Sequence, residues 1–171
     1  MKLISCTIEN FGKLNNVTYD FSGECNTICE DNGWGKSTLA SFIRVMFYGF
    51  KNESKKKLVD KERNRLMPWQ KGVYGGEIVF ETGGVVYSLR RTFGKKQVDD
   101  EFLLVRKDTN VECDDFSCDI GEELFKIDAQ SFERTVFIGQ SDCVTATTDS
   151  INAKIGNLAD NTDDINNFET A

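Results

Sequence analysis

Alternating apolar and polar positions predict β-structure in the N-terminal region. Residues 2–9 alternate between apolar and polar side chains, and residues 17–21 do so again. Because successive side chains of a strand point to opposite faces, both segments are predicted to be half-buried strands. A third, short apolar segment, Thr27-Ile28-Cys29, runs directly into a glycine-containing loop. We expect it to be a strand as well.

A helical spacing of apolar residues follows that loop. Gly49 stands directly after this pattern, where a glycine commonly ends a helix. The sequence therefore predicts one amphipathic helix after the loop, with a single apolar face. That face consists of Leu39, Phe42, Ile43, Met46 and Phe47.

The central region again has the pattern of strands, followed by short helices. Gly83-Gly84 separates two apolar runs and suits the two-residue turn of a hairpin. Asp128 and Ser117 are residue types that cap helix N-termini. The predicted elements are strands 77–82, 85–93, 102–107 and 111–113, helices from Ser117 to near Ile127 and from Asp128 to Thr135, and an extended segment 136–138.

The last residues carry a heptad-like spacing. Apolar or neutral residues between Ile151 and Ile165 recur at steps of 4, 3, 4 and 3. This spacing predicts an amphipathic helix, and a coiled coil is the bolder alternative. We expect residues 145–171 to be the start of a helical arm that continues in a longer protein.

Charge is distributed unevenly along the chain. The formal net charge is -7, yet residues 51–71 contain eight basic and three acidic residues. Residues 51–66 are too polar to pack and are predicted to be a mobile basic loop. A basic loop on an acidic chain is a candidate DNA contact, and an ordinary solvated loop is the alternative. The candidate DNA contacts are Lys55, Lys56, Lys57, Lys61, Arg63 and Arg65.

Composition excludes several classes of function. The chain has no histidine, so catalytic mechanisms that need imidazole are excluded. It has no run of 18 apolar residues, so no membrane-spanning helix is expected. Its six cysteines form no CxxC pair. Free thiols in the cytoplasm are therefore favoured over a four-thiolate zinc site.

Residues 30–38 contain most of a phosphate-binding motif. The sequence Gly35-Lys36-Ser37 matches the end of the pattern GxxxxGK[ST], and Glu30 stands where the first glycine is usual. Lys36 would hold the β- and γ-phosphates, and Ser37 would bind Mg²⁺. We expect Glu30 to point away from the phosphates because its charge would repel them. The predicted ATP-binding residues are Asn32, Gly33, Trp34, Gly35, Lys36, Ser37 and Thr38.

Together with other short motifs, this loop resembles the N-terminal head segment of SMC-like ATPases, which include RecF, RecN and YhaN-like bacterial proteins with an AAA-type ATP-binding domain. The resemblance covers roughly residues 1–145. The motifs are Asn10-Phe11-Gly12, Val17–Phe21, Asn26-Thr27-Ile28, 32–38, Phe42-Ile43, 46–49, Pro68-Trp69, Tyr74-Gly75-Gly76, 90–94 and 132–140.

The resemblance implies an α/β fold of the P-loop NTPase type. Residues 1–144 would form the N-terminal lobe of an ABC-type ATPase head, with a mixed sheet, one central phosphate-loop helix and an antiparallel β subdomain. Gln140 matches a glutamine that touches Mg²⁺ and the attacking water in such heads. The implied cofactors are ATP and Mg²⁺. The implied partners are the protein's own C-terminal head half, a second head and, non-specifically, DNA in the cytoplasm or nucleoid.

Two elements of a complete head are missing from the sequence. It contains no apolar strand that ends in Asp-Glu and no Ser-Gly-Gly signature. We therefore expect an N-terminal half-site, inactive alone, whose full-length parent hydrolyses ATP. Two alternatives remain: an ATP-switched dimerisation module with little hydrolysis, and another phosphate-loop enzyme such as a small-molecule kinase.

Overall fold

A six-stranded antiparallel sheet forms the frame of the fold. The computed structural model describes residues 1–21, 23, 25–50 and 61–137. The strand order is β2-β1-β3-β4-β5-β6, and every neighbouring pair is antiparallel. The strands are β1 (Lys2–Phe11), β2 (Leu14–Asp20), β3 (Gly75–Thr82), β4 (Val85–Thr92), β5 (Glu101–Arg106) and β6 (Val111–Glu112).

This sheet differs from the mixed sheet that was expected. The segment Cys25–Glu30, which contains the expected strand Thr27–Cys29, is exposed and joins no strand among the described residues. Short turns connect β1 to β2, β3 to β4 and β5 to β6, and such connections place strands antiparallel. The described residues thus form one antiparallel sheet, and the expected mixed sheet is not found among them.

Helix α1 (Lys36–Tyr48) covers the sheet with its apolar face. Phe42 packs edge-on against Phe11 of β1, with ring centroids 5.3 Å apart. Phe47 contacts Phe80 of β3 in the same way at 5.6 Å. The helix ends at Gly49, whose φ is 70° and whose N–H donates to the carbonyl oxygen of Val45. These contacts confirm the predicted amphipathic helix and fix its position on β1 and β3.

The predicted central hairpins are confirmed. Gly83 and Gly84 have φ values of 58° and 78° and form the turn between β3 and β4. Positive φ at both positions is the geometry of the tight hairpin turn that glycine permits. β5 and β6 form the second pair, although β6 is only two residues long.

Residues 61–66 are more structured than the mobile loop that was expected. Residues Glu62–Arg65 form a short helix, α2. Glu62 pairs with Arg44 of α1, with an N–O distance of 2.5 Å. Arg63 pairs with Asp100 through two hydrogen bonds of 2.6 and 2.7 Å. Part of the predicted basic loop is therefore anchored to the rest of the fold, while Lys51–Asp60 lies outside the described residues.

The chain divides into two compact units, Met1–Ile120 and Gly121–Ala171. At this boundary lies α3 (Ile120–Phe125), and α4 (Ala129–Thr135) follows it. Asp128 caps α4 by accepting a hydrogen bond from the N–H of Ser131 at 2.7 Å, as the sequence predicted. Val136 has a helical backbone rather than an extended one. The predicted arm at 145–171 lies outside the described residues.

No helix in residues 1–21, 25–50 and 61–137 has both the length and the hydropathy that crossing a bilayer requires.

Candidate phosphate-binding site

The glycine loop passes directly into the first turn of α1. Gly33 and Gly35 have φ values of 82° and 125°, in the region that side chains with a Cβ rarely adopt. Gly35 is the residue immediately before α1, and its carbonyl oxygen accepts the N–H of Leu39 at 2.9 Å. The loop therefore delivers Lys36, Ser37 and the helix N-terminus to one place.

The first turn of α1 favours an anion. It contains no acidic residue, and within the described part of the chain no side chain caps it by a hydrogen bond. The first N–H groups of any helix lack intrahelical acceptors, and the helix dipole adds positive potential at this end. A phosphate can bind to such N–H groups without displacing a cap.

Lys36 bends back over the loop. Its Nζ donates hydrogen bonds to the carbonyl oxygens of Glu30, at 2.5 Å, and Asp31, at 3.0 Å. The side chain is exposed. The ammonium group is therefore held at the loop by neutral carbonyl acceptors. A charged phosphate oxygen can replace them and accept a stronger hydrogen bond.

Glu30 takes part in the loop through its backbone. Its carbonyl oxygen binds Lys36, which does not require a glycine at this position. Partial burial of the phenol raises the pKa of Tyr19, and the charge of the Glu30 carboxylate adds to this shift. The ring of Tyr19 contacts Trp34 of the loop, with ring centroids 5.8 Å apart. The expectation that the Glu30 carboxylate points away from bound phosphates stays a prediction.

The hydroxyl group of Ser37 is an oxygen donor of the kind that Mg²⁺ accepts. Ser37 is exposed in the first turn of α1. A hydroxyl oxygen beside phosphate oxygens is a donor set that suits Mg²⁺, which keeps several waters and prefers substrate phosphates. Gln140, the second predicted ligand, lies outside the described residues. Among those residues, no three His, Cys, Asp or Glu side chains cluster as a metal site.

The turn between β1 and β2 lies against the phosphate loop. A Cβ placed on Gly35 would lie 3.0 Å from Cδ2 of Leu14 and 3.3 Å from Cε of Lys13. Lys13 therefore supplies a second ammonium group beside the loop, which the sequence analysis missed. No spacing in the sequence links Lys13 to the loop, because the two segments meet only through the fold.

The basic residues of the segment 61–65 have different surroundings. The guanidinium group of Arg63 lies 4.7 Å from the centre of the Phe50 ring and is paired with Asp100. Arg65 is exposed and Lys61 is half-buried. Arg63 therefore has its hydrogen-bond donors directed into the fold, unlike the exposed cation expected for a DNA contact. Lys55, Lys56 and Lys57 lie outside the described residues.

A glycine loop that opens a helix with a lysine and a serine defines the site as a phosphate-binding loop of the P-loop NTPase type. Comparison with known families agrees, since the family described as "AAA domain" matches residues 5–171. The chain belongs to this AAA domain family. ATP binding and a P-loop α/β fold are what that membership implies.

A curated relative supports the more specific resemblance. The chain is 35% identical over 82 residues to the protein named "Uncharacterized protein YhaN" of Bacillus subtilis (strain 168). The matched segment covers 47% of this chain and 8% of that relative. This similarity confirms the predicted resemblance to YhaN-like proteins. The chain thus corresponds to a small part of a much longer relative.

Proposed function

We propose that the chain is the ATP-binding N-terminal segment of an SMC-like ATPase head. The observation that carries the proposal is the geometry of the loop, in which Gly35 opens an uncapped helix and Lys36 lies over the loop backbone. The family membership and the similarity to YhaN support the same assignment. In this proposal the nucleotide phosphates replace the carbonyl oxygens that Lys36 now contacts.

Each residue of the loop has a proposed role. Lys36 binds the β- and γ-phosphates, and the N–H groups from Gly33 to Thr38 surround them. Ser37 and Gln140 hold Mg²⁺, which neutralises charge on the phosphates when it is bound. Gln140 also orients the attacking water. These groups position the reactants and stabilise charge, which is most of what phosphoryl transfer requires.

Hydrolysis is proposed to need a second head half. The sequence has neither an Asp-Glu strand end nor a Ser-Gly-Gly motif. The exposed segment Cys25–Glu30 leads into the loop without joining the sheet of the described residues. We propose that the C-terminal half of the same head completes this side of the site, and that a second head caps the γ-phosphate. ATP would then control head-to-head association.

The proposed partner of the assembled protein is DNA, bound without sequence preference. Two basic residues in the described part of this segment are candidates for the DNA contact. They are Arg65, which is exposed, and Lys61, which is half-buried. Lys55, Lys56 and Lys57 complete the proposed basic surface. Because such contacts act through charge, binding of this kind weakens steeply with added salt.

A phosphate-release assay tests the proposed reaction. Residues 1–171 alone should show no hydrolysis above background, and adding the C-terminal head half of the parent protein should restore it. Lys36→Ala should abolish the restored activity. Gln140→Ala should lower turnover more than ATP binding. Robust turnover by residues 1–171 alone that depends on Lys36 would contradict the half-site proposal, whereas ATP binding without turnover in the assembled head would favour a switch module.

A further inference from the structure

An open cavity of about 550 Å³ adjoins the phosphate loop. It shares Thr38, in the first turn of α1, with that loop. Its volume is within the range of about 300–1,000 Å³ that is typical of small-ligand sites. A ligand whose phosphates lie on the loop would therefore meet this cavity at Thr38. The cavity is lined by Gly12, Lys13, Thr38, Arg65, Leu66, Met67, Trp69 and Gln70.

The walls of this cavity are held together by the fold. The N–H of Gly12, in the β1–β2 turn, donates to the carbonyl oxygen of Leu66 at 2.7 Å. A Cβ on Gly12 would lie 2.9 Å from Cγ2 of Thr38, so the turn can approach α1 closely only with glycine there. Leu66 itself is buried. The cavity is thus built from three chain segments in fixed contact.

Trp69 at this cavity is unusual for its exposure. Its side chain is 100% exposed, which is the largest value among the exposed large apolar side chains described. Tryptophan is normally well buried on average, because its large ring is costly to leave in water. A flat aromatic face that is kept free beside a phosphate site suits stacking on a nucleobase, since every base has a π-face. Gln70, the next residue, offers an amide that can both donate and accept hydrogen bonds.

We propose that this cavity is the nucleoside subsite of the phosphate loop and that Trp69 stacks on the base. This inference rests on the proposed binding of a nucleoside triphosphate at the loop. Lys13, whose side chain passes beside Gly35, supplies positive charge between the base and the phosphates. Because stacking alone tolerates any base, Trp69 contributes affinity for a nucleoside triphosphate over a bare polyphosphate.

Calorimetry with two ligands separates the base from the phosphates. Mg-ATP and Mg-tripolyphosphate share a chain of three phosphates, and only ATP has a base and a ribose. The full chain would be compared with Trp69→Ala, Trp69→Phe and the control Val98→Ala. Val98 is also a strongly exposed apolar residue, 87% exposed, and does not line the cavity.

The expected result is specific to one variant and one ligand. Trp69→Ala should weaken ATP binding at least about fivefold and leave tripolyphosphate binding unchanged, since stacking on an aromatic ring contributes substantially per base. Trp69→Phe should retain most of the ATP affinity because it keeps an aromatic face. Val98→Ala should change neither affinity. Circular dichroism would check that each variant is folded.

The alternative outcomes distinguish this inference from the proposed function. Unchanged ATP affinity in Trp69→Ala would overturn the stacking role, and so would an equal loss for both ligands, which would mean that Trp69 supports the phosphate loop. Loss of ATP affinity in Val98→Ala as well would also overturn it. If the wild-type chain binds neither ligand, the proposed function itself fails. Tripolyphosphate binding that is as tight as ATP binding would defeat the nucleoside subsite alone.

Discussion

Nζ of Lys36 donates a hydrogen bond of 2.5 Å to the main-chain carbonyl oxygen of Glu30, the residue that replaces the first glycine of the usual motif. A glutamate at this position therefore still provides the main-chain carbonyl oxygen that binds Lys36. In the proposed site, Lys36 exchanges this carbonyl for a phosphate oxygen when a nucleotide binds. The exchange favours binding because a charged acceptor forms the stronger hydrogen bond.

The backbone conformation of Gly35 predicts that any side chain at this position would strain the phosphate loop. Gly35→Ala should weaken ATP binding at least about tenfold, because the φ of 125° is strained for alanine and its Cβ would crowd Leu14 at 3.0 Å. The control is Gly83→Ala in the β3–β4 turn, where φ is 58° and no atom lies within 4 Å of the added Cβ. That variant should lower stability and keep ATP affinity. Equal affinities for both variants and the wild type, measured by calorimetry, would contradict this account of the loop.

Arg63 is predicted to stabilise the fold. Arg63→Ala should lower the free energy of unfolding by about 2–4 kcal/mol, because it leaves the largely buried carboxylate of Asp100 without its ion-pair partner and removes a cation from the Phe50 ring. Arg65→Ala, which changes an exposed neighbour, should stay within about 0.5 kcal/mol of the wild type. Urea unfolding measures both. Similar stabilities for the two variants would show that the Arg63–Asp100 pair contributes little.

Glu77 gives a prediction for pH dependence. Partial burial acts to raise the pKa of its carboxyl group, but hydrogen bonds from Ser88 and Lys107 outweigh that effect and the pKa is lowered. A lowered pKa in the folded state stabilises the protein above the unfolded pKa of about 4.3, and this stabilisation is lost as the pH falls through the folded value. Glu77→Gln should therefore destabilise the chain at pH 7.

The difference in unfolding free energy between Glu77→Gln and the wild type should shrink as the pH falls below about 4. An NMR titration should also show that Ser88→Ala raises the pKa of Glu77, because it removes a hydrogen-bond donor to the carboxylate. A difference in stability that stays constant from pH 7 to pH 3 would argue against this role of Glu77.

Local patterns in the sequence predicted the local structure well. The alternation of residues 2–9 gave the right faces in β1, where Cys6 and Ile8 are fully buried. Gly83-Gly84 and Asp128 marked a turn and a helix cap that the structure contains. Such features depend on residues that are close together in the sequence. The glycine loop before α1 is also a local feature.

Contacts between segments that are distant in the sequence could not be predicted from it. Arg63 looked like a free surface cation because its partner, Asp100, lies 37 residues further along the chain. Lys13 lies beside the loop, and Trp69 lines the adjoining cavity, only after the sheet and α1 have brought three segments together. The expected mixed sheet included a strand at Thr27–Cys29. A strand forms only where a second strand pairs with it, and the local sequence pattern does not show whether such a pairing exists.

The basic segment predicts how DNA binding depends on salt. Replacing the five basic residues other than Arg63 with glutamine should weaken binding to duplex DNA of any sequence and flatten its dependence on salt, since fewer counterions are released. These residues are Lys55, Lys56, Lys57, Lys61 and Arg65. A fluorescence anisotropy titration at several salt concentrations measures both effects.

A control for that titration replaces Lys95 and Lys96, two exposed lysines outside the segment, with glutamine. It should have a much smaller effect on DNA affinity than the five-residue variant. If the affinity and salt slope of the five-residue variant match those of the wild type, the segment is only a solvated connection.

The central claim is that the loop before α1 binds ATP through Lys36, and calorimetry of Mg-ATP binding tests it most directly. Wild-type residues 1–171 should bind Mg-ATP weakly, and Lys36→Ala should lose about tenfold or more of that affinity, as expected for a charge-assisted hydrogen bond. Lys95→Ala, which removes an exposed lysine elsewhere, should bind like the wild type. Equal ATP affinity in Lys36→Ala and the wild type would contradict the assignment of this loop as the nucleotide site.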